Sequence, residues 1–283
     1  MPRFALVVAP VATLLTLAAC TSAPIAATTD SNSDRAAPAR QLRYVSIGDS
    51  YATGISPEGT GESFAQIVAR QEGLNLVNLA CNGATTADLL AQPACGPEAD
   101  GRTQVDETVE ALRTGDVGLV TVVIGGNDLL EPCAVAQDPG ECATSAAVET
   151  KTNIATMLTK LREAAPDVKI VGLSYPDVFL GAWVNPEFPN GEDLARTSVK
   201  LYEDFNGEIA AEYAKFGASY VDVTNRTGGY GALTDLTEDP KYGRIPAPVA
   251  EVCTLTYYCE HSDVHPTPAG HQAIADAVVA AGR

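Results

Sequence analysis

The chain of 283 residues holds only three histidines, one tryptophan and two methionines, and aromatic residues make up 6% of it. Scarce histidine limits where base chemistry at neutral pH can sit, because imidazole is the side chain whose ordinary titration falls there. All three, His261, His265 and His271, lie within eleven residues near the C-terminus. Positive charge is also short: 18 Lys and Arg stand against 36 Asp and Glu, a formal net charge of −18. That balance argues against nucleic acid, whose phosphates need cations, and against direct adhesion to an anionic lipid surface. None of the seven cysteines stands in C-x-x-C spacing, which argues against a redox dithiol or a zinc ribbon. There is no internal repeat and no second linker.

Against this thin supply, four segments carry chemistry. Gly48-Asp49-Ser50 ends a strand-like run from Leu42 to Ile47. Asn82-Gly83-Ala84-Thr85-Thr86 and Ile124-Gly125-Gly126-Asn127-Asp128 each follow an apolar run, and the histidine segment closes the set. In an open parallel sheet the loops leaving the C-terminal strand ends form one rim, so these segments would converge. A serine hydroxyl is a weak nucleophile at neutral pH and needs an adjacent base, which points to Ser50 with one of the histidines.

Val45-Ser46-Ile47-Gly48-Asp49-Ser50-Tyr51, then Gly83, then Gly125-Gly126-Asn127-Asp128, then His265-Pro266 resemble, in order, the four blocks of the SGNH, or GDSL-type, hydrolases. The likeness covers nearly the whole mature chain and is to the secreted esterase and lipase branch found in actinobacteria. It implies Ser50 as nucleophile, His265 as general base, and an oxyanion hole made of the Ser50 and Gly83 backbone N–H groups and the Asn127 side-chain amide. It also implies no cofactor and a small-molecule or lipid ester as substrate. Donors placed where charge develops on a carbonyl oxygen contribute roughly 3–4 kcal/mol each. A carbohydrate O-deacetylase, an acyltransferase and a non-catalytic envelope-binding lipoprotein are the alternatives on the same scaffold. An α/β-hydrolase elbow reads G-x-S-x-G, and Gly48-Asp49-Ser50-Tyr51-Ala52 does not match it.

The histidine block departs from the commonest family pattern, which has aspartate three residues before the histidine. Here that position is Ser262, and Asp263 stands two before. Either the Asp263 carboxylate orients His265, or a backbone carbonyl does so in a Ser50/His265 dyad. His261, Asp263 and His265 at alternate positions also fit a zinc site, a reading that leaves Ser50 and Asn127 unexplained; no metal is expected. His271 is expected in the last helix as a structural or surface residue.

Arg3 precedes an apolar run from Phe4 to Ala19 that is short for a bilayer span and ends in small residues, the pattern of a signal peptide over residues 1–19. Leu17-Ala18-Ala19-Cys20 resembles a bacterial lipobox, implying a lipid on Cys20 and a place on the outer face of the cell membrane, or secretion. Residues 20–41, rich in Ala, Thr, Ser and Pro, have the composition of a flexible tether. Residues 42–283 then form one catalytic domain, expected as a monomer. With Cys20 assigned to lipid, six cysteines remain in an exported domain; six allow fifteen pairings, and proximity favours Cys81–Cys95, Cys133–Cys142 and Cys253–Cys259.

Strands are expected near 42–47, 76–79, 117–124, 169–173 and 218–223. The clearest helix is Lys151–Ala164, where Ile154, Met157, Leu158 and Leu161 fall on one stripe before Pro166; others are expected over Asp193–Phe216 and Pro268–Ala281. Alternating strands and helices make an α/β fold, a three-layer α/β/α sandwich on a five-stranded parallel sheet of flavodoxin-like topology, which agrees with the SGNH hydrolase fold. Phe179–Glu192 and Thr224–Tyr258 read as longer irregular segments whose aromatics either line a substrate groove or cap the core.

Overall fold

Five short runs of β-branched and apolar residues form one parallel sheet: β1 (Arg43–Gly48), β2 (Asn75–Asn78), β3 (Val117–Val123), β4 (Lys169–Leu173) and β5 (Ser219–Val221), in the order β2-β1-β3-β4-β5. The computed structural model describes residues 41–97, 99–129, 137 and 139–282. The signal-peptide and Cys20 readings, and the tether up to residue 40, fall outside the described residues. Arg40–Arg283 form one compact unit. Among the described residues no helix is long and apolar enough to cross a membrane.

Side chains of a strand alternate between faces, and both faces of this sheet are covered. Tyr44, Leu119 and Val123 face one layer with Phe64, Ile67 and Val68 of α1 (Phe64–Glu72) and Ile274 and Val278 of the C-terminal helix. Val45, Ile47, Val120 and Val122 face the other, built from α2 (Gln104–Arg113), α3 (Pro139–Ala164) and α4 (Gly191–Lys215). The α3 stripe of Ile154, Met157, Leu158 and Leu161 is almost fully buried, and each such side chain contributes about 1.5–3 kcal/mol. Local signals start the helices: Ser63 and Gln66 make a reciprocal capping box on α1, and Thr103 accepts from Asp106 N–H on α2.

Chain order turns back at β1 and β3, so the crevice for a ligand opens above their C-terminal ends. There β1 runs beside β3 to the register pair Gly48↔Val123, and Asp49 N–H donates to Val123 O at 3.1 Å. The segments read as irregular from sequence alone are ordered instead. Val178–Trp183 is a 3₁₀ helix, Leu236–Asp239 and Gly243–Pro246 make a hairpin, and Ala247–Leu255 is helix α5, ahead of α6 (Pro268–Ala281). Their aromatics pack inward: Phe179 and Phe188 flank buried Tyr258, and Trp183 joins the cluster of Leu180 and Val249. Burial here comes from contacts distant in sequence, which periodicity within one short segment does not reveal.

Candidate active site

Gly48 ends β1 at φ +138, and a Cβ there would sit 2.0 Å from Val123 O, so only glycine lets the chain leave the sheet this way. Gln104 of α2 secures the same residue, its Oε1 accepting from Gly48 N–H at 2.8 Å and its Nε2 donating to Gly48 O at 3.0 Å. Asp49 then caps a single helical turn, Ser50–Thr53, by accepting from Tyr51 N–H at 3.0 Å. Ser50 is the first residue of that turn, where backbone N–H groups have no intrahelical acceptor, and it is 9% exposed.

Three further loops meet this turn. Gly83 is exposed at φ +75 with open space where a Cβ would stand, so no side chain covers its backbone. The Asn127 Nδ2 donates to Ala84 O at 2.9 Å; an amide nitrogen carries two hydrogens, which leaves a second one for a ligand. Asp128 accepts from Thr86 N–H at 3.0 Å, tying the same two loops together. Tyr51 O–H donates to Val264 O and its ring lies 6.2 Å from that of His265, which joins the Ser50 turn to the histidine loop.

Within that loop the Asp263 carboxylate faces the imidazole: Oδ1 lies 2.8 Å from His265 Nδ1 and also accepts from His265 N–H at 2.9 Å. The segment is a bend closed by the Asp263 side chain on the backbone two residues ahead, not an extended strand, and this brings carboxylate and ring together. Ser262, at φ 52, donates to Glu187 and accepts from Asn185 Nδ2 at 2.9 Å, so it holds the turn from the far side. Among the described residues no hydrogen bond joins Ser50 to His265, a gap that many free enzymes close on binding substrate.

His261 is exposed and lies 6.0 Å from the Tyr257 ring. Among the described residues no group of three or more His, Cys, Asp or Glu could hold a metal ion. His271 is buried in α6, where Nδ1 accepts from Phe64 N–H at 3.2 Å, and burial pushes its pKa down to about 4. It is a structural residue, not a surface one. Disulfides join Cys81 to Cys95 beside the Gly83 loop and Cys253 to Cys259 ahead of the histidine loop; the Cys133–Cys142 pairing involves Cys133, outside the described residues.

Sequence reasoning missed Asp49, Gln104 and Tyr175 as supports of the site. Burial raises the Asp49 pKa to about 7, against hydrogen bonds from Tyr175 and Tyr51 that lower it. Tyr175 follows β4 at the C-terminal edge of the sheet, a position that marks a residue on the crevice. A groove of about 660 Å³ between α3 and α4, lined by Lys151 and Glu208 among others, shares none of these residues.

A model of the GDSL-like lipase/acylhydrolase family matches residues 46–273. The chain belongs to that family. The GDSL fold recurs in solved structures of low identity. The lipase Lip_vut3 from a goat rumen metagenome aligns at a TM-score of 0.59 and 19% identity, over 86% of this chain and 98% of the other. An extracellular lipase from Streptomyces rimosus gives 0.56 and 19% over 85% and 99%. Axe2, an acetylxylan esterase from Geobacillus stearothermophilus, gives 0.51 and 16% over 85% and 93%. The comparison with curated proteins found no match. As a GDSL enzyme the protein is an ester hydrolase.

Proposed function

We propose that this ester hydrolase is a serine esterase working through an acyl-enzyme. The observation that carries the reading is the Asp263–His265 pair at 2.8 Å, on a loop that Tyr51 ties to the Ser50 turn. His265 Nε2 takes the Ser50 Oγ proton as Oγ attacks the ester carbonyl carbon, and Asp263 holds the ring through Nδ1 and stabilises the imidazolium. The oxyanion is held by the Ser50 and Gly83 N–H groups and the free Asn127 amide hydrogen. Collapse expels the alcohol, which leaves with the proton from His265. Water then gives a proton to His265 as its oxygen attacks the acyl carbon, and the acyl–Oγ bond breaks as His265 returns that proton to Ser50 Oγ, releasing the acid.

Reaction with a fluorophosphonate tests this, with intact mass, peptide mapping and p-nitrophenyl ester turnover before and after. One adduct on Ser50 with turnover lost is expected; no adduct on folded, disulfide-intact protein overturns the mechanism. The site is further read as one of an exported protein, tethered by residues 20–41 to a lipid on Cys20. The two disulfides support export, since such bonds persist in oxidising compartments. Metabolic labelling with an alkynyl fatty acid tests the anchor: incorporation that Cys20→Ser abolishes supports it, and an unlabelled wild type sinks it.

A further inference from the structure

We propose that Tyr175 is a positioning residue for the reaction, holding the Gly125–Asp128 loop, and with it the Asn127 amide, in place against the nucleophile turn. The proposal rests on the serine mechanism above. Tyr175 O–H donates to Asp49 Oδ2, on the residue before the nucleophile, and its oxygen accepts from Gly126 N–H, on the residue before Asn127, at 3.2 Å. One phenol thus bridges the two segments that must present an alkoxide and an oxyanion donor to the same substrate atoms.

The bridge is built to be stiff. The Tyr175 ring packs edge-on against Tyr51 at 4.8 Å, and Tyr51 in turn reaches Val264 beside His265. A Cβ on Gly126 would lie 3.0 Å from the Tyr175 ring, so ring and loop are already in contact. The Tyr175 carbonyl accepts from Thr224 Oγ1 at 2.7 Å, fixing the backbone that carries the ring. On its other side the loop is held to the Gly83 segment through Asn127 and Asp128. Without the phenol, the loop keeps its link to the Gly83 segment and loses its side-chain link to Asp49, the residue before Ser50. A donor held loosely forfeits transition-state stabilisation more than substrate binding. Burial keeps the Tyr175 hydroxyl protonated, its pKa held well above the ordinary phenol value, so the donor to Asp49 persists at any working pH.

The test is kinetic. Tyr175→Phe, checked for fold by circular dichroism and melting, is expected to lower kcat on a p-nitrophenyl ester by about 10- to 100-fold with KM changed less than about two-fold, the pattern of an interaction realised in the transition state. In an Asn127→Ala background the same change is expected to lower kcat by less than about three-fold, because the donor it positions is gone. A kcat within about two-fold of wild type, a loss confined to KM, or a full loss in the Asn127→Ala background overturns the proposal. Should Tyr175→Phe not fold, Asp49→Asn takes its place, expected to show a smaller fall in kcat that is again absorbed by Asn127→Ala. Failure of the underlying mechanism reads differently: wild-type protein then takes no fluorophosphonate on Ser50, or Ser50→Ala keeps its turnover, and both readings fall together.

Discussion

Asp263→Asn isolates charge from shape. In the structure a single oxygen, Oδ1, contacts both the backbone N–H and the Nδ1 of His265, and an amide oxygen in the same place would keep both contacts while removing the negative charge. In the proposed mechanism, what is lost is attraction to the imidazolium that forms as Ser50 is deprotonated. At 2.8 Å that attraction is about 6 kcal/mol at an effective dielectric of about 20, and about 1.5 kcal/mol in bulk water. The two side chains are 20% and 28% exposed, between those limits, so a loss of about 2–4 kcal/mol follows, a fall of roughly 30- to 1,000-fold in kcat. Steady-state hydrolysis of p-nitrophenyl acetate at constant pH measures it, with KM expected to move little. Asp263→Ala should fall further, since the backbone N–H and the ring both lose their acceptor. A kcat for Asp263→Asn within about three-fold of wild type would refute the electrostatic argument and leave the carboxylate as a brace for the turn alone.

Other outcomes follow from the same geometry. Ser50→Ala and His265→Ala should each remove nearly all ester turnover while leaving the melting temperature close to wild type, as the two side chains anchor no core. Gly48→Ala must move Val123 O away from a Cβ at 2.0 Å in a backbone region that disfavours side chains; soluble yield or melting temperature should drop sharply, and a variant as stable as wild type would contradict the close approach. Removing the Cys81–Cys95 bridge, which spans a sequence separation of 14, should lower unfolding free energy by about 3 kcal/mol in denaturant titrations. His271 gives a pH signature: its pKa is pushed down to about 4 from 6.5, so the unfolded chain takes up its proton first. Stability held by neutral His271 is whole above pH 6.5 and is lost as pH falls toward 4, by up to about 3 kcal/mol. Acid unfolding of His271→Gln should lack that component, and parallel curves for variant and wild type would count against it.

Where a residue's role depends on its own neighbours in sequence, it was legible. The β-branched runs became the five strands, Pro268–Ala281 appeared with the bounds its Thr-Pro start announces, and α3 ended at Ala164, just before Pro166. The same helix begins at Pro139 rather than Lys151, because its first turns lack the apolar stripe that marked the rest. Ser50, Gly83 and Asn127 could be named as candidates because each sits in a short motif that follows a strand, and His265 because histidine is so scarce in the chain. Asp263 was not decidable, because whether a carboxylate two residues away meets an imidazole depends on a bend rather than on alternation. Tyr175 and Gln104 were invisible for another reason. Their partners, Asp49 and Gly48, lie 126 and 56 residues away, and no local pattern encodes a hydrogen bond across the sheet.

Gln104 gives Gly48 N–H a side-chain acceptor at the point where the backbone ladder to β2 stops supplying one. Its amide oxygen accepts from Gly48 N–H and its amide nitrogen donates to Gly48 O, an acceptor it shares with Cys81 N–H of the segment that follows β2. The sheet is in effect continued by one residue borrowed from the helical layer. This lets β1 turn sharply upward toward the crevice with the Gly48 N–H still satisfied, and it makes α2 a foundation of the Ser50 turn although no residue of that helix touches substrate in the proposed mechanism. Anyone transplanting the Gly48-Asp49-Ser50 turn onto another scaffold would therefore have to carry a distant glutamine with it, or supply a peptide group in the same place.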